Sequence, residues 1–529
     1  MMSLPSLVNS QSKPEHHFDQ RRFTRREDLS TDTRLMIATI ALNAIINGVW
    51  GTITHLSHEH GISRTFIYYL VASLREAGLY IFSETVQWCN NSLRVISIQM
   101  MLSLRLEGQS SIGAISQIMK RFNCEVSSTG SISQILTRIG RLLPKTIDVG
   151  DNVLRFVVFA SDEIFSKRLP ILVTVDPVSS AILCIELCDS RTADDWKRHF
   201  QCLFDDGVYA IYFVSDEGQG LISGHDAVMP DVIRQSDIYH AIAHQLGQWV
   251  QRLEAAAYKA IKIEDERERV LNSAKSSSVQ DKRLDDCVRA SKNANKAIAL
   301  YETFLYLYQC LCAELDLFGN NGNLRSSQVV VEGIEACLTL LVELNHPQIS
   351  QAVEKSRRTL PDLLHYFDVA REIVAECKEL PINEICLKAF CLAWQWGKKS
   401  RKAKSPKQKQ IAQQKERFYL DLAENLHDED GIDVQQEIYS RLDEIVRSSS
   451  LVECINSIIR PYLNTCKNHV TQEVLNLLLF YHNHRRYVDG VRKGKTPMEI
   501  FTGKEQTKDW ISILFERIAE KDSELLAAA

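Results

Sequence analysis

The chain has 529 residues, with 62 Lys and Arg against 67 Asp and Glu, 45% hydrophobic and 24% charged. At roughly 100–200 residues per domain, this length predicts about three or four folding units and excludes a single small binding module. The composition, with 22 Gly and 12 Pro, supports a sizeable core and excludes collagenous, mucin-like and wholly disordered classes.

The net charge of −5 argues against a polyanion ligand only until its distribution is considered. Residues 1–150 hold 15 basic and 11 acidic residues, and the run from Lys398 to Arg417 holds 9 basic residues and one acid, Glu416. The remainder is strongly acidic. Because fields act over roughly 8–10 Å at physiological salt, such a chain can grip phosphate locally while staying acidic as a whole. The 14 cysteines are scattered, several within apolar runs (Cys184, Cys188, Cys386, Cys391, Cys466), and no CxxC pair has a matching second pair. They read as small buried hydrophobes in a reducing compartment rather than zinc ligands. The polar N-terminus has no apolar signal core, and no long apolar run occurs, so an intracellular protein without a membrane span is expected.

Residues 1–32 read as a flexible basic arm, rich in Arg, Gln, His and Ser. A first helix-turn-helix is predicted over 33–85. Met36, Ile37, Ile40 and Ala41 recur at helical spacing, a helix runs from Thr52 to His60, Gly61 makes the turn, and Ser63 caps a helix from Arg64 to Ala77. Ser63, Arg64, Thr65 and Tyr68 stand at the start of that second helix, where a helix-turn-helix meets base edges and phosphates. The arrangement repeats over 86–148 with helices at 95–106, 112–122 and 128–143, the last exposing Ser131, Ser133, Gln134 and Arg138. His55, His58 and His60, with only Glu59 beside them, read as surface histidines.

At Val153 the pattern switches to extended runs. Strands are expected at Leu154–Ala160, ending in Ser161-Asp162-Glu163, at Leu169–Val175 and at Ala181–Leu187. A helix capped by Thr192 follows, then a fourth strand, Tyr209–Val214, which runs into Ser215-Asp216-Glu217-Gly218. Three hairpin-linked strands, a crossover helix and a return strand beside the first resemble the ribonuclease H order, a mixed sheet in which strands one and four are parallel neighbours. Asp162 and Asp216 would then face each other. Two such carboxylates repel without a cation, whereas Mg²⁺ binds through one or two carboxylates plus substrate phosphate. A pair of ions about 3.5–4 Å apart activates a nucleophile and stabilises the leaving oxygen of a phosphodiester. Glu163, Glu217 and Asp176 stand as substitutes.

From Asp237 the chain turns helical for roughly 200 residues, giving a core first part at 150–245 and an all-α insertion at 246–445 that contains the basic run 398–417. Lys398, Lys399, Arg401 and Lys402 open that run, and Trp394 and Trp396 beside them read as core or as a base-stacking surface. The core resumes over 446–505. There Val452, Ile455, Ile458 and Ile459 form the apolar stripe of a helix, with Glu453, Asn456 or Ser457, and Arg460 on the other face, suited to a metal ligand and its phosphate-holding neighbours. A C-terminal helix is expected over 506–529.

The segments FASDEIF, FVSDEGQGL, SDIYHAIAHQLGQW, LVECINSIIRPYL and FYHNHRRYVDGVRKGKTPMEIFTG together resemble DDE transposases of bacterial insertion sequences. This resemblance, over most of residues 150–505, implies a metal-bound triad of Asp162, Asp216 and Glu453 holding two Mg²⁺ or Mn²⁺ ions. His240 matches a histidine that follows the second Asp. Asn483 and Arg485 match an N-x-R tail, with Arg486, Arg492 and Lys495 adding basic charge suited to phosphate. The spacings, 54 from Asp162 to Asp216 and 237 from there to Glu453, resemble interrupted members such as the hAT group, with a helical insertion before the Glu; an acid within the insertion is the alternative to Glu453. The resemblance further implies recognition of terminal inverted repeats in double-stranded DNA, cleavage and strand transfer, a homodimer or higher synaptic assembly, and a cytoplasmic, nucleoid-associated protein. A metal-dependent nuclease or domesticated recombinase, and a DNA-binding regulator with an inactive nuclease core, are the alternatives.

Overall fold

The computed structural model describes residues 28–82, 85–150, 153–403, 405–426, 431–467, 469–490 and 492–526. Most of the expected basic arm, residues 1–27, lies outside them. The chain divides into two compact units, residues 1–93 with 528–529, and residues 94–527.

The first unit holds α1 (Thr31–Ile46), α2 (Thr52–Glu59) and α3 (Arg64–Phe82). Ile37 and Ala41 of α1, Leu56 of α2, Ile62 of the turn, and Ile67 and Val71 of α3 form its small core with Leu29, the pairs on α1 and α3 each four residues apart. Gly61, at φ 59°, makes the turn between α2 and α3. Ser63 Oγ accepts the Phe66 amide at 3.1 Å, capping α3.

The second unit contains most of α4 (Thr85–Leu106), α5 (Ile112–Arg121) and α6 (Thr129–Leu142). It continues with β1 (Arg155–Ser166), β2 (Leu169–Val175), β3 (Ile182–Leu187), α7 (Ala193–Asp205), β4 (Val208–Ser215), α8 (Gln219–Val228) and β5 (Arg234–Ser236). A π-helix, Tyr239–Gly247, leads into α9 (Gln248–Asn272), α10 (Ser277–Glu314), α11 (Ser327–Val342), α12 (Pro347–Thr359), α13 (Tyr366–Cys377), α14 (Glu384–Lys402), α15 (Pro406–Asn425) and α16 (Gly431–Asp443). The chain ends with α17 (Ser450–Thr465), α18 (Gln472–His484), α19 (Pro497–Thr502) and α20 (Trp510–Lys521). The second unit is thus a small mixed sheet within a mostly helical body, and among the described residues no helix is long and apolar enough to cross a membrane.

The sheet order is β3-β2-β1-β4-β5, with β1 antiparallel to β2 and parallel to β4. The structure corrects the expected end of the first strand. β1 does not stop at Ala160: it runs on to Ser166 because Ala160–Ser166 pair in register with β2, while its pairing with β4 ends at Ser161 opposite Ser215. Asp162 is therefore the first residue of β1 beyond the reach of β4. The three-residue β5, too short to show a pattern, was not anticipated.

One face of the sheet packs on α7 and α8 through Phe159, Trp196, Phe200 and Phe213, with Trp196 and Phe200 rings 5.6 Å apart and Phe200 edge-on to Phe213 at 5.5 Å. Truncating one such buried ring costs about 3–5 kcal/mol. The other face packs on a single core built from α4, α5, α6, α17, α18 and α20. The helices expected as a separate second helix-turn-helix thus belong to this body. Gly140 of α6 lies so close to α18 that a Cβ there would stand 2.3 Å from the Glu473 carbonyl oxygen, and Asn476 of α18 donates to the carbonyls of Gly140 and Leu143 at 3.1 and 2.9 Å. Residues 241–445 have a core of their own, from Ala241 and Leu246 of the π-helix to Ile438 and Ile445.

Candidate active site

Side chains alternate along a strand, so Ser161 and Asp162 of β1 point to opposite faces. Ser161 is buried and bonds Thr174 at 2.8 Å, whereas Asp162 opens toward α17. There Asn456 Nδ2 donates to Asp162 Oδ2 at 3.0 Å, and the Glu163 amide donates to Oδ1 at 2.8 Å. Asp216 follows directly on β4, its Oδ1 accepting the Gly218 amide at 3.0 Å. Burial pushes the Asp162 carboxyl up to about 7; the Glu163 amide works against this, the charges of Asp216 and Glu163 add to it, and His240 lowers it. A carboxyl withdrawn from water beside two other carboxyls keeps its proton toward neutral pH, and a cation joining it favours the ionised form.

Glu453, in the first turn of α17, is half-exposed and pairs with His240 of the π-helix, Nε2 to Oε1 at 3.2 Å. The apolar stripe of α17 is as expected, with Val452, Ile455 and Ile459 buried. Asn456 departs from expectation. It is 3% exposed, because it lies four residues after Val452 and three before Ile459, on the buried stripe itself, where its amide reaches Asp162; Glu453, Ser457 and Arg460 stay on the open side. The substitute acids are engaged elsewhere: Glu163 with Arg191, Glu217 with Ser236 at 2.6 Å, and Asp176 with the amides of Val178 and Ser179 in the β2–β3 turn.

Among the described residues no three His, Cys, Asp or Glu side chains are gathered to hold a metal ion. Two carboxylates are gathered, which is the set Mg²⁺ takes when substrate phosphate completes its shell. The donors are hard oxygens. Asn456 Oδ1, buried next to Asp162, has no hydrogen-bond partner, and the raised Asp162 is the imbalance a cation relieves. Asp162 and Asp216 therefore fit a divalent ion, and Glu453 stands apart from them on His240.

Of the residues expected to meet DNA, Ser63, Arg64, Thr65 and Tyr68 are all exposed at the start of α3. Ser131, Ser133 and Gln134 are exposed on α6, but Arg138 beside them is ion-paired with Asp522 at 2.5 Å. In the basic run Lys398 pairs with Asp443 at 2.8 Å and Lys399 with Asp316, while Arg401 and Lys402 are exposed. Trp394 is buried and donates to Asp443 at 2.6 Å; Trp396 lies between Lys399 and Lys415, 4.5 and 4.1 Å from its ring centre.

The tail motif is largely structural. Asn483 is 1% exposed and pairs with both the amide and the carbonyl of Ile182 at 2.9 Å, continuing the hydrogen bonding of edge strand β3, so it has no face left for phosphate. Gln472 does the same at Leu187 and Ile185. Arg492 holds the β2–β3 turn through Ser180 and the Val178 carbonyl, and Arg486 pairs with Glu499 at 3.0 Å. Arg485 lies over the Tyr481 ring at 5.5 Å, and Lys495 is exposed. One residue that sequence reasoning missed is Asp237, whose only signal was a capping-type Asp before a helix. It is 2% exposed and bonds both the π-helix and Ser449.

No known protein family's profile matches the chain, and comparison with curated proteins returns no match.

Proposed function

We propose that the protein is a DNA transposase with a ribonuclease H-like core, cutting and joining DNA ends with divalent metal at Asp162 and Asp216. The observation that carries this reading is the placement of two carboxylates where parallel β1 and β4 part, with Asp162 raised to about 7. The sheet order, the return helix bearing Glu453 and the insertion between them support it.

Asp162 and Asp216 would hold the ion, which supplies activation of a water or 3′-hydroxyl and charge stabilisation at the leaving oxygen. Asn456, through its bond to Asp162 Oδ2, fixes which oxygen faces the open side. Glu453 would join from the helix above, and Arg460 on the same open side would meet substrate phosphate. The exposed start of α3 would read the element ends, with Arg401, Lys402, Arg485 and Lys495 as phosphate contacts. Duplex DNA spanning the sequence on either side of the gene, incubated with protein and Mg²⁺ or Mn²⁺, is expected to be nicked and joined; intact DNA would remove the reading. A DNA-binding protein with a silent nuclease core is the second reading. It is favoured by one observation: Glu453 faces His240 instead of completing a three-acid cluster.

A further inference from the structure

The chain leaves the sheet at Asp237 and returns at Ser449, and these two residues meet. Asp237 Oδ1 accepts the amides of Tyr239 and His240 at 2.6 and 3.2 Å, starting the π-helix. Its Oδ2 accepts the Ser449 amide at 2.7 Å and also the Ser449 hydroxyl. The Asp237 amide donates to the Ser215 carbonyl at 2.9 Å, one residue before Asp216. Ser449 is the cap residue of α17, yet its side chain makes no capping bond to that helix because the hydroxyl is given to Asp237. Its carbonyl accepts the Val452 and Glu453 amides at 2.7 and 3.4 Å.

One buried residue thus ties three places: its backbone amide holds the end of β4, next to Asp216, and its carboxylate joins the first turn of the helix that carries His240 to the first turn of the helix that carries Glu453. Four donors converge on two oxygens, and both oxygens are used. An amide in the same place could satisfy only one pair, because its nitrogen would confront N–H and O–H donors.

We propose that Asp237 is a positioning residue for the reaction: with Ser449 it forms a clamp that sets Glu453 in register with Asp162 and Asp216, across the roughly 200-residue excursion between them. This inference rests on the transposase reading for its catalytic consequence, but the clamp itself is a property of the fold. A misplacement of a reacting group by about 1 Å costs on the order of 100-fold, so the clamp's effect belongs in the chemical step and not in DNA affinity.

The test uses full-length Asp237→Asn, Ser449→Ala and Ser449→Thr proteins, with two readouts. Single-turnover cleavage of element-end DNA is expected to fall on the order of 10- to 100-fold in Asp237→Asn and Ser449→Ala, with unchanged DNA affinity, and to return in Ser449→Thr, which keeps the hydroxyl. Adding Glu453→Gln to Asp237→Asn is expected to cause little further loss, since both act through one group. In hydrogen exchange, the Val452 and Glu453 amides are expected to lose protection in Asp237→Asn while those of β4 keep it. Wild-type cleavage in folded Asp237→Asn and Ser449→Ala overturns the proposal, as does unchanged protection at Val452 and Glu453. If wild type leaves the DNA uncut, the transposase reading fails separately, and the exchange result alone decides the clamp.

Discussion

Asp162 and Asp216 sit just past the last pair of two strands that hydrogen-bond to each other, whereas Glu453 rides on a helix reached only after residues 246–445. Each of the first two is the residue next to Ser161 or Ser215, the last backbone pair of β1 and β4, so the β1–β4 register brings the two acids side by side. The third is held by side chains: a half-exposed pair with His240, and the Asp237–Ser449 junction beneath it. Position set by a sheet is rigid. Position set by a few polar contacts depends on those contacts alone, and it is the part of the site that single side-chain substitutions can shift.

This contrast breaks first under substitution of the acids. Asp162→Asn and Asp216→Asn are expected to lower single-turnover cleavage by about 100- to 1000-fold. Glu453→Gln is expected to lower it less, by roughly 10- to 100-fold. Full activity in Glu453→Gln would remove the third acid and leave the pair.

The pair should also reveal itself without substrate. Burial holds Asp162 protonated up to about pH 7 in the folded chain, while an unfolded Asp ionises near pH 4. Between these values the folded state binds the extra proton, so its contribution to stability is fully present below about pH 4 and is lost as pH rises to 7. Asp162→Asn is expected to stabilise the protein by roughly 1–3 kcal/mol more at pH 8 than at pH 4, read as the difference in denaturation midpoints. Mg²⁺ is expected to raise the wild-type melting temperature at pH 8 and not that of Asp162→Asn. An equal effect of Asp162→Asn at both pH values would mean that burial does not raise the Asp162 carboxyl as described.

Legibility in the sequence followed the same division. The apolar runs of β1 and β4, each followed by Asp, placed both acids next to each other, because strand order is dictated by short connections and a crossover helix. The extent of β1 was not legible, since whether residues beyond Ala160 stay extended depends on a partner, β2, and not on their own pattern. Asn456 or Ser457 was placed on the face opposite the apolar stripe; Ser457 is exposed there, whereas Asn456, four residues after Val452 and three before Ile459, shares the buried stripe, a position its polarity concealed. Asn483 and Arg492 looked like a basic, DNA-facing tail, but a strand edge and a tight turn consume them. The second helical set looked like an independent module until Gly140 and Asn476 fastened it to α18.

From that last group comes a smaller effect. Asn483→Ala leaves the Ile182 amide and carbonyl unpaired, and is expected to cost about 1–3 kcal/mol in denaturant unfolding without altering the salt dependence of DNA binding. The smallest effect lies in the basic run. Arg401→Ala and Lys402→Ala are each expected to weaken binding across all sequences and to reduce the salt slope by about 1. Lys398→Ala and Lys399→Ala, whose charges are already matched by Asp443 and Asp316, are expected to change it less. Equal slopes for all four would show that the ion pairs open on DNA.

The measurement that bears most directly on the central claim is nicking of a duplex spanning the sequence on either side of the gene, by wild type and Asp216→Asn side by side, with Mg²⁺ or Mn²⁺ and with the metal chelated. The expected result is a nick made by wild type with metal only. A nick of equal yield in Asp216→Asn, or no nick from wild type with either Mg²⁺ or Mn²⁺, would contradict the account.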